Sequence, residues 1–454
     1  MFRRVFIANR GEVAARVART CKRLGIGVVA GVSEPDADLQ WLKPEAGLVD
    51  AVAILGGRQS YLDVDAILEA ARANQCSALH PGWGFLSENA LFATRCEAER
   101  ITFIGPTPSA IRAMGDKSVA KDTMRRLGLP TIPGSDGPVA DVEAARVLAE
   151  AMGYPVLLKA RSGGGGRGMR RVYASGELAS AFSQASAEAL SAFGDGALYL
   201  EKLIEGGRHI EFQVLGDAFG SVVCLGEREC SVQRRHQKLV EESPSPGVSP
   251  ERRREMMARI SVACARAGYR GAGTVEMLMD QDGSLYFMEM NTRLQVEHPV
   301  TELCTGVDLV EWQLRVAAGE PLPAAWVSRG VPSQGHAIEC RINAEDPALG
   351  FRPAPGRVSG LTLPTSPEPP LRLRVDTHLH QGDTISPHYD SLIAKLITAG
   401  PDRASALAAM DEALGSLKVV GVPTTAGLQR QILSDSRFVS GTYDTSLLDG
   451  FPGL

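Results

Sequence analysis

Two glutamates in apolar stretches, Glu276 and Glu289, have the spacing that predicts chemistry most directly. They lie on either side of Asp282-Gly283, a dipeptide typical of a two-residue hairpin turn. Such a turn would pair 276 with 289 and bring their Cβ atoms to about 5 Å on one face. Facing carboxylates among apolar neighbours repel unless a cation or proton lies between them. Asn291 points to the same face, so the pattern predicts an oxygen-rich site for Mg²⁺ or Mn²⁺ with substrate phosphates, whereas a slipped register would give an exposed polar sheet face.

The same alternation continues beyond the predicted metal site, through Arg293, Gln295 and Glu297. Pro299 biases the residue before it away from helix, which favours an extended path for this segment. An arginine on this side can fork onto a carboxylate-like anion, and a glutamate beside it can accept a proton. The segment therefore predicts an anion site with a general base.

A glycine-rich stretch, residues 163–168, matches the G-x-G-x-x-G spacing of dinucleotide-binding turns. That fingerprint needs a helix after the glycines, but residues 169–173 alternate like a strand, as residues 155–160 do before them. We therefore predict a hairpin whose glycine tip closes over phosphates, with Lys159 at its base. The alternative is a flexible surface turn.

Two further polar segments are compatible with anion binding. Residues 233–238 (QRRHQK) supply donors suited to phosphate or bicarbonate, although a surface charge run is the alternative. Lys117 follows Gly115-Asp116 without the spacing of a phosphate loop. His378 and His380 are expected to be two surface histidines on one strand rather than metal ligands.

The elements that must position these residues predict an α/β (α+β) protein. Residues 1–114 alternate short apolar strands with helical spacing, which predicts a parallel, nucleotide-fold-like sheet without a glycine-rich first turn. Residues 115–332 hold the chemistry described above, including a smaller unit at about 132–203 that follows a Pro- and Gly-rich junction. Residues 333–446 form a third domain with a helix near 402–416.

Composition and charge exclude several functions. The 454 residues carry a formal net charge of -5 and no long basic tract, so neither nucleic acid nor an anionic membrane surface is an expected partner. No apolar run reaches the roughly 18 residues of a membrane span. The 8 cysteines include no C-x-x-C and are expected to be reduced, buried thiols in a cytoplasmic protein.

Taken in order, the motifs resemble those of biotin carboxylases, the ATP-grasp components of biotin-dependent carboxylases. The resemblance covers nearly the whole chain, and its segments are long. They are residues 7–12 (IANRGE), 80–89 (HPGWGFLSEN), 114–117 (MGDK), 163–168, 233–238, 289–293 (EMNTR), 295–299 (QVEHP) and 339–346 (ECRINAED).

The resemblance implies an ATP-grasp fold, with a Rossmann-like N-terminal domain and a mixed α/β C-terminal domain, and a role for each motif. ATP would be bound by Lys117, Lys159, Gly165, Gly166, Glu201, Lys202, Leu203, Ile204, His209, Gln233, His236, Glu276, Leu278 and Glu289. The metal, as two Mg²⁺ or Mn²⁺ ions, would be bound by Glu276, Glu289 and Asn291. Bicarbonate would contact Lys238, Arg293, Gln295 and Val296, and Glu297 would deprotonate it. Biotin would contact Trp83 and Arg341, and Arg341 would stabilise the biotin enolate. The catalytic set would thus be Arg293, Glu297, Lys238 and Arg341.

The resemblance also implies partners. The chain contains no Met-Lys-Met sequence, so biotin is expected on a separate biotin carboxyl carrier protein, with a carboxyltransferase and a homodimeric assembly. Two positions depart from the family pattern: Arg161-Ser162 replaces smaller residues before the glycines, and Trp83 stands where some members carry Tyr. The final carboxyl acceptor, whether acetyl-CoA, another acyl-CoA or pyruvate, is not specified by this chain.

Two other functions remain open. One is another ATP-grasp ligase, such as a protein similar to carbamoyl-phosphate synthetase, against which the bicarbonate and biotin segments argue. The other is a catalytically silent nucleotide-binding subunit, against which the full set of chemical residues argues.

Overall fold

The computed structural model describes most of the chain. The described residues are 1–161, 168–235, 237–366 and 368–451. Three residues assigned to ATP by resemblance, Gly165, Gly166 and His236, lie outside them.

The chain divides into two compact units. The first comprises residues 1–129, 208–278 and 289–454, and the second comprises 130–207 and 279–288. The three-domain division made from the sequence remains a prediction.

The first unit begins with a parallel sheet, as the alternating pattern predicts. Its strands lie in the order β3-β2-β1-β4-β5. Val5, Phe6 and Ile7 of the central strand are fully buried because helices cover both faces of such a sheet. These elements are β1 (Arg4–Ile7), α1 (Gly11–Arg23), β2 (Gly27–Ser33), β3 (Ala51–Gly56), α2 (Val64–Ala73), β4 (Ala78–His80), α3 (Ala90–Ala98), β5 (Thr102–Phe103), α4 (Pro108–Gly115) and α5 (Lys117–Arg126).

The second unit is a small antiparallel sheet with two helices, and it contains the predicted glycine hairpin. Val156 pairs with Val172 and Lys159 with Met169, which confirms the two strands flanking the glycines. Its core consists of small and medium apolar side chains, such as Leu158 and Ala185. Its elements are α6 (Val142–Met152), β6 (Val156–Ala160), β7 (Met169–Val172), α7 (Ser175–Phe193) and β8 (Leu198–Lys202).

An eight-stranded sheet carries most of the predicted site residues. Its order is β13-β12-β9-β10-β11-β14-β21-β19, so it joins strands from distant parts of the chain. Its first strands and the helices of that region are β9 (Arg208–Gly216), β10 (Val222–Arg234), β11 (Gln237–Ser243), α8 (Pro250–Arg266), β12 (Gly271–Met279), β13 (Leu285–Asn291), α9 (His298–Thr305), α10 (Leu309–Ala317) and α11 (Ala324–Arg329).

The C-terminal region completes the sheet and adds helices to it. The helix predicted near 402–416 is confirmed as α12. The remaining elements are β14 (His336–Asn343), β15 (Glu345–Asp346), β16 (Arg352–Pro353), β17 (Gly356–Arg357), β18 (Gly360–Thr362), β19 (Arg372–Thr377), β20 (Thr384–Ile385), β21 (Leu392–Gly400), α12 (Arg403–Ser416), β22 (Lys418–Val420), α13 (Ala426–Ser434) and α14 (Ser436–Ser440).

Several sequence-based expectations can be compared with this fold. All eight cysteines are buried and free, as expected. No helix among the described residues is long and apolar enough to span a membrane. The expectation for the histidine pair is wrong in part: His378 follows β19 and is buried, with 4% of its surface exposed. Burial lowers the pKa of His378 to about 3, and the charges of Arg10 and Arg19 contribute to the same shift. His378 is therefore a neutral interior side chain.

Candidate functional site

Glu297 is fully buried at the N-terminal end of α9 and holds two cationic side chains. Lys238 Nζ donates to Glu297 Oε1 at 2.6 Å, and Arg341 Nη2 donates to Oε2 at 2.9 Å. Burial would raise the pKa of the Glu297 carboxyl, but Lys238, Arg341 and Arg228 outweigh burial and hold it well below its usual range. The α9 N-terminus adds a favourable dipole. Glu297 is therefore an anion clamped between two cations.

Neighbouring strands of the large sheet supply these cations. Lys238 lies on β11 and Arg341 on β14, and the two strands are antiparallel neighbours with Val240 opposite Cys340. Arg341 Nε also donates to Glu241 Oε1 of β11 at 2.6 Å. Burial raises the pKa of Glu241 to about 7, with Arg341 opposing the shift. Two carboxylates thus share one guanidinium, and the one that also contacts Lys238 is the stronger acid.

A second buried carboxylate, Glu211, contacts Lys238 and is itself paired with Arg228. Lys238 Nζ donates to Glu211 Oε2 at 2.6 Å, and the other oxygen of Glu211 accepts from the fully buried Arg228. Arg228 also donates to the side chains of Gln213 and Thr301. The sequence motifs did not predict a role for Glu211 or Arg228. The alternation of His209, Glu211 and Gln213 with the apolar residues of β9 was a signal that could have indicated Glu211.

Glu276 lies beside this group and is surrounded by donors. Its Oε1 accepts from Asn291 Nδ2 at 2.7 Å, from Gln295 Nε2 at 3.2 Å and from Lys238 Nζ at 3.4 Å. Burial opposes ionisation, yet Lys238 and His209 lower the pKa of Glu276 far below its usual value. The carboxylate is therefore charged, as a metal ligand must be.

Arg293 connects the alternating side chains that the sequence singled out. Its guanidinium donates to Asn291 Oδ1 at 3.0 Å, to Gln295 Oε1 at 2.8 Å and to Glu88 Oε2 at 2.8 Å. The structure thus brings Asn291, Arg293 and Gln295 together as predicted. The extended path predicted to continue through Glu297 is wrong, because Glu297 lies in a turn and His298 begins α9, in whose first turn Pro299 is tolerated. Glu88 also accepts from the backbone N–H of Thr292 at 2.8 Å. Glu88 is a further member of the site that had no predicted role, although it lies in the segment 80–89.

The hairpin turn predicted at Asp282-Gly283 is wrong. Asp280 N–H donates to Ser284 O at 2.8 Å, and Gly283 N–H donates to Asp280 O at 2.9 Å, which leaves residues 281–283 in the loop. This loop is one residue longer than a two-residue turn, and Gly283 takes a positive φ of 82°. The loop is closed by Asp280 and Ser284, and a regular register counted back from this pair does not place residue 276 opposite residue 289. Side-chain contacts, not the turn, must carry the argument for a joint metal site.

Glu289 is half-buried and pairs with Lys117, whose Nζ lies 2.6 Å from Glu289 Oε2. His209 Nε2 is buried without a hydrogen-bond partner and lies 3.2 Å from Glu276 Oε2. The Glu276 carboxylate and the Asn291 amide oxygen are ligands of the kind that a divalent cation prefers, whereas no contact among the described residues joins Glu289 to Glu276. The residues present therefore fit a metal ion.

Two further residues assigned to ATP lie close to this group. Gln233, near the end of β10, places its Nε2 3.0 Å from His209 Nδ1. Leu278 is half-buried on β12, two residues after Glu276. Lys117 is 80% exposed on its side chain, so its ammonium is accessible to a ligand.

The second unit holds the other residues assigned to ATP. Lys159 Nζ forms an ion pair with Glu201 between the neighbouring strands β6 and β8. Lys202 Nζ donates instead to the backbone carbonyls of Gly153 and Tyr154, and Leu203 N–H donates to Pro155 O at 3.1 Å. Ile204 is half-buried. Lys159 is thus a charged group held at the base of the hairpin, whereas the Lys202 ammonium is bound within its own unit.

Two predicted residues contact partners that the sequence did not suggest. Val296 O accepts from Lys395 Nζ at 2.7 Å. Trp83 Nε1 donates to Glu12 Oε1 at 3.2 Å. Among the contacts of the described residues, none joins Trp83 directly to Arg341, the other residue assigned to biotin.

The chain matches three family models in succession. Residues 1–111 match the biotin carboxylase N-terminal domain, residues 116–325 the ATP-binding domain of the carbamoyl-phosphate synthase L chain, and residues 339–450 the biotin carboxylase C-terminal domain. The central match is shared with other ligases, which explains why an alternative ligase was open on sequence grounds. The flanking matches favour one family.

Relatives cover the chain from end to end. A biotin carboxylase from Nostoc is 49% identical over 98% of this chain and 98% of its own length. A crystal structure of a biotin carboxylase from Campylobacter jejuni in a β,γ-ATP complex has a TM-score of 0.89 at 44% identity and covers 99% of both chains. The biotin carboxylase domain dimer of 2-oxoglutarate carboxylase from Hydrogenobacter thermophilus, in complex with MgADP, ADP and bicarbonate, has a TM-score of 0.89 at 46% identity and covers 100% of this chain and 98% of that one. The mixed α/β, ATP-grasp fold expected from the sequence is confirmed.

Proposed function

The chain belongs to the biotin carboxylase family and is an ATP-dependent ligase that carboxylates biotin, and we propose how its residues divide that reaction. Bicarbonate attacks the γ-phosphate of ATP to give ADP and carboxyphosphate. The C–O bond of carboxyphosphate then breaks, the carboxyl group passes to the ureido nitrogen of biotin, and the departing inorganic phosphate takes up the ureido proton. The proposed domains are 1–114, 115–332 with a lid at about 132–203, and 333–446.

We assign the deprotonation of bicarbonate to Glu297. Arg293 and Lys238 bind the anion with Gln295 and the backbone of Val296, which places a bicarbonate oxygen within reach of the carboxylate. Glu297 is held by Lys238 and Arg341, and these ion pairs make it a weak base. An incoming anion that takes over donors from Lys238 raises the basicity of Glu297 when a proton must be removed.

Each unit is assigned its own nucleotide residues. In the first unit Lys117 and His209 contact phosphate, with Gln233 and Leu278 beside the nucleotide. In the second unit Lys159 contacts phosphate and residues 201–204 line the adenine. His236, Gly165 and Gly166 lie outside the described residues and keep only the ATP-binding roles that the resemblance implies. Glu276, Glu289 and Asn291 would hold Mg²⁺ or Mn²⁺, which supplies positive charge at the phosphates when bound. The internal contacts of the Lys202 ammonium imply that this residue contributes through its backbone.

Arg341 and Trp83 are assigned to biotin. Arg341 carries a charge that can stabilise the enolate of the ureido group, and it contacts the base directly. The formation of carboxyphosphate and the transfer of its carboxyl group therefore share one guanidinium, whereas the resemblance assigned Arg341 to biotin.

The partners follow from the family and belong to the same proposal. The chain acts on a separate biotin carboxyl carrier protein, works with a carboxyltransferase and forms a homodimer in the cytoplasm. Relatives at similar identity include a biotin carboxylase from Nostoc, at 49%, and the small subunit of 2-oxoglutarate carboxylase from Hydrogenobacter thermophilus, at 47%. Identity therefore does not choose the acceptor, and the biotinylated protein that co-purifies would identify it.

The buried contact of Glu297 with Lys238 and Arg341 carries this assignment, because it joins the proposed base to one residue assigned to bicarbonate and one assigned to biotin. The test supplies the purified chain with MgATP, labelled bicarbonate and free biotin, and measures ADP and carboxybiotin. Glu297→Gln should reduce both products by about 10²–10⁴-fold. Glu251→Gln, an exposed glutamate of α8, is the matched control and should leave both unchanged. A wild-type chain that releases ADP without biotin stimulation would favour another ATP-grasp ligase, and one that releases no ADP would favour a silent subunit.

A further inference from the structure

Lys395 is a fully buried lysine in the middle of an apolar strand. Strand β21 reads LIAKLITAG, and all of its residues are buried. Removing an ammonium from water costs several kcal/mol unless close partners compensate, and an apolar side chain of similar length often stabilises a core at least as well. Stability alone therefore does not account for a lysine at this position.

The partners of Lys395 lead towards the proposed bicarbonate segment. Its Nζ donates to Val296 O at 2.7 Å, and Val296 immediately precedes Glu297. Its charge is balanced by Glu12 Oε2 at 3.2 Å and by Asp376 Oδ2 at 3.8 Å. Burial lowers the pKa of the ammonium, but Glu12, Glu339 and Asp376 reverse the shift and raise it, so Lys395 stays charged. A charged donor thus fixes one backbone carbonyl next to the base.

The second contact of this group leads towards the proposed biotin residue. Glu12 lies in the first turn of α1 and is buried, with 2% of its surface exposed. Its Oε1 accepts from Trp83 Nε1 at 3.2 Å, while its Oε2 faces Lys395. A path of two charged side chains therefore runs from the carbonyl of Val296 to the indole of Trp83.

Lys395 also has a fixed place in the sheet. It lies opposite Arg341 on β14 and opposite Asp376 on β19. The strand pairing that positions the catalytic guanidinium thus positions Lys395 as well. Other ionisable groups facing the same interior are Glu339 on β14, His298 at the start of α9 and Arg374 on β19.

We propose that Lys395 and Glu12 are positioning residues that hold the Val296–Glu297 backbone in the geometry for bicarbonate and link it to the biotin-side Trp83. This inference rests on the proposed function. Neither residue touches substrate in it: Lys395 acts through Val296, and Glu12 acts through Trp83.

The first experiment compares Lys395→Met with Asp376→Asn in steady-state kinetics. A backbone displaced by about 1 Å can cost about 10²-fold in rate, so Lys395→Met should lower bicarbonate-dependent ADP release by that order and raise the KM for bicarbonate. The affinity for ADP, measured by calorimetry, should stay unchanged because the nucleotide residues lie elsewhere. The control, Asp376→Asn, removes a buried negative charge beside Lys395. Because the Asp376 side chain does not contact Val296, this variant should leave the KM for bicarbonate unchanged.

The second experiment uses Glu12→Gln, which keeps the shape and an acceptor for the indole. It should raise the KM for free biotin more than the KM for ATP. An unchanged bicarbonate KM in a folded Lys395→Met chain would overturn the proposal, and so would a fall in ADP affinity equal to the loss in rate. If Lys395→Met does not fold, an unchanged biotin KM in Glu12→Gln overturns it. Failure of the proposed function is distinct, since the wild-type chain would then form no carboxybiotin.

Discussion

The interiors of the two units are built from different side chains. The first unit buries complete ion pairs: Arg228 and Lys395 are fully buried, and so are the carboxylates of Glu211 and Glu297. Among the described residues of the second unit, the buried side chains are apolar, chiefly Val, Leu and Ala. Its ion pairs lie at the surface, such as Arg161 with Asp195 and Arg146 with Glu143.

This difference separates two ways of using charge. A buried charge has fixed neighbours and a low local dielectric, so it can be oriented in advance for a developing negative charge. The same burial makes each charge dependent on its partner, because an uncompensated ion in the interior is costly. A surface pair contributes little to stability and can be changed without consequence for the fold. Mutations of the buried charges of the first unit should therefore affect both folding and catalysis, whereas mutations of the surface pairs of the second unit should leave the fold unchanged.

The largest effect is expected for Lys238→Met. The change leaves Glu211 and Glu297 without a shared partner and should destabilise the protein by about 3 kcal/mol, besides removing activity. Urea denaturation and ADP release would measure the two effects. Lys22→Met, which breaks a half-exposed pair with Asp50, is the control and should change stability by less than about 1 kcal/mol. A similar loss in both variants would contradict the comparison.

Arg341→Gln should rank next. Because Arg341 contacts Glu297 as well as the proposed biotin site, both ADP release and carboxybiotin formation should fall, by about 10²–10³-fold. The ratio of the two products should stay within a few-fold of that in the wild-type protein. A variant that keeps full bicarbonate-dependent ADP release while losing carboxybiotin would instead limit Arg341 to the biotin step.

Acid should destabilise the first unit more than the second. Burial lowers the pKa of His80 to about 4 and that of His378 to about 3, while unfolded histidine titrates near 6.5. The free energy of unfolding that depends on keeping these histidines neutral is therefore fully present above pH 6.5. It falls as the pH decreases towards the folded-state pKa values, because the unfolded chain binds protons first, and the loss is about 2 kcal/mol per histidine at pH 5. The second unit contains no histidine. Hydrogen exchange at pH 7 and pH 5 should show greater loss of protection in β9 than in β8, and equal losses would count against this explanation.

The smallest effect on stability is expected for Lys159→Met. Its pair with Glu201 is about one-third exposed on the lysine side, so the free energy of unfolding should change by less than about 1 kcal/mol. The KM for ATP should nevertheless rise, because the ammonium is proposed to contact phosphate. Arg161→Ala, which breaks the neighbouring exposed pair with Asp195, is the control and should leave the KM unchanged. A rise in KM in both variants would indicate a general change of the hairpin.

Local patterns predicted much of this molecule. The hairpin around the glycines and helix α12 follow from period and turn residues alone. Alternation also placed Asn291, Arg293 and Gln295 together, because successive side chains of an extended segment point to opposite sides. The Asp282-Gly283 turn failed because the same dipeptide also fits a longer loop with glycine at its last position.

The buried ion network could not be predicted in the same way. Lys395 and Glu12 are hundreds of residues apart, and only strand pairing and helix packing bring them into contact. A lysine within an apolar strand was a visible anomaly, but no pattern along the chain identifies its partner. Pairing between distant elements is a property of the tertiary fold, so a single sequence indicates that such a charge needs a partner without naming it.

The pairing of β11 with β14 has a consequence for dissecting the protein. A fragment ending near residue 325, where the match to the ATP-binding domain ends, would leave β11 as a bare edge strand. Its unpaired N–H and C=O groups would offer a template for other chains, and aggregation is the expected result. Arg341 would be missing as well, so Glu297 would lose one of its two cations. The candidate site therefore cannot be transferred with the central segment alone. Chimaeras between relatives must exchange the central and C-terminal segments together.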